Sequence, residues 1–136
     1  MLKKINHLGV AVKNLEEVKA FYRDVLGLKL EREEEIPDQK LRVAMFSIGE
    51  VHIELLEATS PESTIAKFIE KKGPGLHHVA FETDGIIDEI KHLEEDGVQM
   101  IDKTPRKGAH DTQIAFLHPK STFSVLTELC QCNCGE

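Results

Sequence analysis

Residues 5–12 alternate as a half-buried strand does: Ile5, His7, Gly9 and Ala11 share one face, and Asn6, Leu8, Val10 and Val12 the other. The period then lengthens to that of a helix. Asn14 stands as an N-cap with Glu17 three residues on, a capping-box pattern. Leu15, Val18, Phe21, Tyr22 and Val25 follow at helical spacing and are expected to be buried, up to about Leu26, where Gly27 stops the helix. Strands are predicted at 28–34, 41–48 and 51–57, with Gly49-Glu50 as a tight turn between the last two. Residues 59–75 read as a connector: Thr59-Ser60-Pro61 opens it, a short helix covers 62–72, and Gly73-Pro74-Gly75 closes it. The pattern then restarts. A strand at 76–83 leads to a helix at about 86–96 with Ile86, Ile87, Ile90 and Leu93 apolar, and Gly97 ends that helix as Gly27 ended the first. Strands near 98–103, 112–118 and 123–130 complete the second copy.

The chain therefore reads as α+β, with two tandem βαβββ half-domains in a single domain over 1–136. Residues 1–58 form the first module, 59–75 the connector, 76–130 the second module and 131–136 a cysteine-containing tail.

The repetition extends to chemistry. Ile5-Asn6-His7-Leu8-Gly9-Val10 is matched by Leu76-His77-His78-Val79-Ala80-Phe81, and Val51-His52-Ile53-Glu54-Leu55 by Val125-Leu126-Thr127-Glu128-Leu129. His7 lies 47 positions before Glu54, and His78 lies 50 before Glu128. A lone histidine or glutamate is ordinarily a polar side chain and nothing more. Its recurrence at equivalent places in a duplicated unit implies pseudo-twofold symmetry, under which His7, Glu54, His78 and Glu128 converge on one divalent metal. Alternation agrees: His7 shares its face with Gly9 and Ala11, His78 with Ala80, Glu54 with His52 and Leu56, and Glu128 with Leu126 and Ser124. The opposite faces carry Leu8, Val10, Ile53, Leu55, Val79, Phe81, Val125 and Leu129, suited to packing under helices. Two imidazoles and two carboxylates suit a borderline-to-hard divalent ion such as cobalt, manganese, nickel or zinc, and an octahedral ion would keep two positions for a bidentate substrate.

The remaining histidines divide by position. His77 should point to the helix side, His52 shares the Glu54 face, His92 sits on a solvated helix surface and His118 lies in a Pro-containing turn.

Composition adds limits. With 40% hydrophobic and 30% charged residues in 136, the chain has enough apolar material for a core and the polarity of a soluble protein. No run of about 18 apolar residues is present and the N-terminus shows no secretory pattern, so a cytoplasmic location with no membrane partner is expected. A net charge of −7 argues against a nucleic-acid partner. The three cysteines, Cys130, Cys132 and Cys134, cluster at the C-terminus as Cys-x-Cys-x-Cys, leaving no disulfide candidate in the core, as suits a reducing compartment. They read as incidental residues of a frayed end sooner than as a thiolate site.

Local wording narrows the reading. Ile5-Asn6-His7-Leu8-Gly9-Val10-Ala11-Val12, Phe21-Tyr22-Arg23-Asp24-Val25-Leu26-Gly27-Leu28, Gly75-Leu76-His77-His78-Val79-Ala80-Phe81 and Phe116-Leu117-His118-Pro119-Lys120 resemble the methylmalonyl-CoA epimerase family of the vicinal oxygen chelate (glyoxalase-like) superfamily. The resemblance covers the chain to about Leu129, and the Gly-Leu-His-His and Leu-His-Pro-Lys segments are its more specific parts. It implies a cup-shaped mixed sheet with helices outside, a homodimer and a CoA-thioester substrate. It also implies interconversion of (2R)- and (2S)-methylmalonyl-CoA through a metal-stabilised enediolate. Some members carry a non-ligand glutamate where this chain has Val43, and a glutamine ligand where it has Glu54. Valine cannot accept a proton, so Glu54 and Glu128 become the expected opposed pair of catalytic bases as well as ligands. Gln39 and His110 are expected to touch substrate, with Lys103, Arg106, Lys107 and Lys120 as candidates for the CoA phosphates. A glyoxalase I-type lactoylglutathione lyase shares the His-Glu-His-Glu ligand set and is the alternative enzyme. A metal-free small-ligand-binding module of the same fold is the alternative outside enzymes.

Overall fold

The computed structural model describes residues 1–132, and the α+β order expected from the sequence is the one observed. The elements are β1 (Leu2–Ala11), α1 (Leu15–Ala20), β2 (Lys29–Ile36), β3 (Leu41–Ile48), β4 (Val51–Ala58), α2 (Thr64–Lys72), β5 (Gly75–Thr83), α3 (Ile86–Glu95), β6 (Arg106–Lys107), β7 (Thr112–Leu117) and β8 (Thr127–Cys132). No helix among the described residues is long and apolar enough to cross a membrane. The chain divides into two compact units: His7–His77, and Met1–Asn6 together with the chain from His78 onward.

In the first unit the strand order is β2-β3-β4-β1, with β2, β3 and β4 antiparallel and β4 parallel to β1. One face packs Val12, Ala44, Phe46 and Leu55 under Leu15 of α1. The Asn14 side chain accepts from the Glu17 N–H at 3.1 Å, and the Leu15 N–H donates to Glu57 at 3.0 Å, so both backbone donors at the start of α1 are satisfied. The predicted helix does continue to Leu26, but as a π turn over Phe21–Val25, with the Leu26 N–H bonded to the Phe21 carbonyl. The extra residue per turn rotates Phe21 and Val25 outward, so both are exposed rather than buried. Tyr22 alone of that group stays inward, against Phe46. The other face holds Ala11, Leu41, Val43 and Leu56 under Ile65 of α2.

In the second unit the order is β5-β8-β7-β6, with β5 parallel to β8 and the rest antiparallel. Ile86 and Ile90 of α3 pack on Ala115, Leu117, Leu129 and Met100, while Ile87 faces outward. Two strand expectations need correction. At 98–103 only Met100 bridges, to Leu117, because the Asp102 carboxylate takes the Phe116 N–H at 2.9 Å, the donor that a paired strand would have used. A two-residue strand at Arg106–Lys107 stands in its place, after Pro105. β8 starts at Thr127 rather than 123, because Phe123 and Ser124 take left-handed backbone at φ 57° and 76° in a hydrogen-bonded loop. β8 then runs on to Cys132, and Cys130 is buried against Ala80 and Ile114. That cysteine is a packed core residue and not part of a frayed end; residues 133–136, Cys134 among them, lie outside the described residues.

Candidate metal centre

Each unit builds the same pair by the same means. Parallel pairing of β1 with β4 sets Gly9 opposite Glu54, and that of β5 with β8 sets Ala80 opposite Glu128. In both, the histidine stands two residues before the small partner, and so on the same face of the sheet. Side chains four and more atoms long then lean together over a glycine or an alanine, which leaves space above the sheet.

In the first unit His7 Nδ1 lies 3.6 Å from Glu54 Oε2. In the second, His78 Nε2 lies 3.0 Å from Glu128 Oε1. All four residues are buried, between 4% and 6% exposed. Buried carboxylates and imidazoles in this number are costly unless each has a hydrogen-bonding or coordinating partner. Imidazole nitrogen and carboxylate oxygen together form a donor set for a borderline-to-hard divalent ion.

The walls of the two pairs differ. Met45 stands opposite Glu54 from β3, and it is buried. Phe116 stands opposite Glu128 from β7, with its ring edge-on to His78 at 5.7 Å between centroids. Ala80, Ile114 and Cys130 pack beside Phe116 and make the floor next to Glu128 apolar. Neither Met45 nor Phe116 was singled out as a site residue from the sequence. The signal was available for Met45: a two-residue Gly49-Glu50 turn fixes the β3–β4 register and puts Met45 against Glu54.

The other sequence-selected residues fall as follows. His52 pairs in register with His7 and is half-buried. His77 meets the Phe68 ring of α2 edge-on at 4.8 Å, a packing role as expected. His92 is exposed beside Asp96, and His118 uses Nδ1 to accept the Lys120 N–H at 3.0 Å in its turn. Val43 stands in register between Leu56 of β4 and Glu34 of β2, and it packs in an apolar cluster with Ala11, Leu41 and Leu56. Gln39 ends a single turn over Pro37–Gln39, and His110 holds a left-handed position in the β6–β7 turn at φ 57°.

Residues 6–116 match the family model of the Glyoxalase/Bleomycin resistance protein/Dioxygenase superfamily. The chain belongs to that superfamily. Among members of the glyoxalase superfamily it is similar to the mitochondrial methylmalonyl-CoA epimerase of Bos taurus, 36% identical, with 94% of this chain and 74% of that protein covered. It is also similar to the ethylmalonyl-CoA/methylmalonyl-CoA epimerase of Cereibacter sphaeroides, 35% identical over 95% of this chain and 98% of that one. A glyoxalase-fold structure of a Streptomyces coelicolor methylmalonyl-CoA epimerase variant with 2-nitronate-propionyl-CoA superposes with a TM-score of 0.96, at 34% identity, covering 100% of this chain and 99% of that one.

Proposed function

We propose that this protein is a methylmalonyl-CoA epimerase that holds one divalent metal, cobalt first among the candidates, through His7, Glu54, His78 and Glu128. The observation that carries the reading is the duplicated buried His–Glu pair in matched register, in a chain about 35% identical to named epimerases along its length. The donor set fits such an ion, and two imidazoles with two carboxylates bring its +2 charge to neutrality.

When bound, the ion supplies Lewis-acid stabilisation for negative charge developing on the substrate's thioester and carboxylate oxygens. The chain's own residues do the proton work. One of Glu54 and Glu128 takes the proton from the carbon between thioester and carboxylate, giving an enediolate. The other, protonated, returns a proton to the opposite face of that carbon. His7 and His78 hold the carboxylates in place from 3.6 and 3.0 Å. Met45 and Phe116 keep water from the reacting carbon, which limits loss of the proton to solvent. Gln39 and His110 supply hydrogen bonds to the thioester's acyl portion, and the active form is a homodimer in the cytoplasm.

The test is a coupled epimerisation assay with (2R)- or (2S)-methylmalonyl-CoA on cobalt-reconstituted protein, beside methylglyoxal plus glutathione. Turnover is expected with the CoA thioester, lost on chelation and restored by cobalt. Turnover with the hemithioacetal alone overturns the epimerase assignment, and epimerisation undiminished after complete metal removal overturns the metal assignment.

A further inference from the structure

β6 and the loops of the second unit carry four cations, and three of them are unremarkable: Lys103, Lys107 and Lys120 are exposed and make no side-chain ion pair among the described residues. Arg106 is different. Its Nε forms an ion pair with Asp102 Oδ1 at 3.1 Å, and Asp102 is in turn fixed because its Oδ2 accepts the Phe116 N–H at 2.9 Å. The guanidinium lies over the Phe116 ring, with Cζ 5.5 Å from the centroid. That same ring meets His78 edge-on at 5.7 Å, and Phe116 is the cross-strand partner of Glu128. Arg106 is thus one aromatic ring away from the His78–Glu128 pair.

Held through Nε and stacked on an aromatic face, the side chain presents its two terminal nitrogens with no protein acceptor among the described residues. Its exposure, 46% for the side chain, leaves them open to a ligand. This is a pre-oriented fork for two anionic oxygens. A purely structural role would need only Asp102 to pin its loop to β7, and an exposed ion pair returns little for ordering a long side chain.

We propose that Arg106 is the anion clamp of the substrate site, donating bidentately to a carboxylate or a phosphate of the bound thioester, with Asp102 as its positioning residue. The proposal rests on the epimerase reading, and it selects one cation from the four. The decisive experiment compares wild type, Arg106→Gln, Arg106→Lys and Asp102→Asn on two substrates. One is methylmalonyl-CoA; the other is methylmalonyl N-acetylcysteamine thioester, which keeps the carboxylate and lacks every phosphate. R106Q should raise KM for the CoA thioester about 10- to 100-fold with kcat within about threefold and metal content unchanged. R106K should recover little of this, since an ammonium has neither Nε nor fork. D102N, which keeps the Arg106 guanidinium but removes its anionic partner, should raise KM by about 3- to 10-fold. A defect confined to the CoA thioester assigns the clamp to phosphate, and one shared by both substrates assigns it to carboxylate. Calorimetric titration with unreactive 2-nitronate-propionyl-CoA separates the two proposals. No turnover in the wild-type protein overturns the epimerase reading, whereas equal affinity of wild type and R106Q for this ligand overturns the clamp whether or not turnover is found.

Discussion

Replacing Glu54 by glutamine removes one negative charge and one proton acceptor while keeping the side chain's shape. Glu54 and Glu128 are equally buried, with a histidine nitrogen at 3.6 Å and 3.0 Å, so E54Q and E128Q each take a buried charge away from such a contact and should cost about 1–3 kcal/mol of stability. Both amides retain an oxygen that can ligate, so cobalt content should persist. Catalysis should suffer far more than stability. Removing a general base lowers rate by about 100- to 10,000-fold, or about 3–5 kcal/mol of barrier. The assay runs E54Q in deuterium oxide with each pure methylmalonyl-CoA epimer. Proton NMR follows exchange at the α-carbon, and a coupled reaction follows epimerisation. Epimerisation should collapse while one epimer still exchanges its proton, because the remaining glutamate serves one face. Wild-type epimerisation in E54Q would remove Glu54 from the chemistry. Equal loss of exchange for both epimers, with metal retained, would refute the two-base scheme.

Two further outcomes test the scaffold. Phe123 is 92% exposed with φ 57°, a left-handed conformation that costs a bulky L residue about 1–2 kcal/mol, against about 0.5–1 kcal/mol for glycine's extra unfolded freedom. Phe123→Gly should therefore raise the calorimetric Tm by a degree or more, and a lower Tm would show that the exposed ring makes contacts that matter to folding. Lys19, a buried residue of α1, pairs with Glu33 and Glu16, and the Glu33 hydrogen bond first and the Glu16 bond second hold its ammonium above the usual 10.5. The Lys19 hydrogen bond likewise holds the Glu16 carboxyl below the usual 4.5. A raised lysine stabilises the fold fully below 10.5 and loses that as pH climbs past its folded value; a lowered carboxyl stabilises above 4.5 and loses that as pH falls. Lys19→Met should flatten both edges of the melting temperature against pH, and an unchanged profile would show that the cluster contributes nothing to folding.

Periodicity and punctuation made much of this molecule legible. His7, Glu54, His78 and Glu128 could be placed on sheet faces because alternation is strict in β1, β4, β5 and β8, and the halting glycines Gly27 and Gly97 do adopt positive φ at 77° and 90°. Misreadings arose where a side chain replaced a backbone partner or where the helix changed its turn. Asp102 intercepts the Phe116 N–H and so dissolves a strand that its neighbours' apolar character had suggested. A π turn is invisible to a 3.6-residue template, which is why Phe21 and Val25 were expected inside. Arg106 was one of four equivalent cations in sequence; only the fold shows that a ring and a carboxylate immobilise it.

Duplication explains why the two halves offer the same pair, but a reaction on methylmalonyl-CoA needs them to be unequal. The carbon that inverts carries a carboxylate on one side and a thioester bearing a long anionic tail on the other. Under the proposed reading, the residues required for proton exchange repeat, while those that distinguish the two ends of the substrate do not. Met45, flexible and uncharged, faces Glu54. Phe116, rigid and capped by a guanidinium, faces Glu128. The conserved part of the repeat accounts for chemistry that is symmetric about the α-carbon, and its diverged part for binding a substrate that is not. Exchanging the walls tests this division: Phe116→Met should weaken binding of CoA thioesters more than it slows proton exchange at saturation, because it removes the surface on which Arg106 rests and leaves both glutamates in place. An effect on kcat alone would place Phe116 in the chemistry and not in recognition.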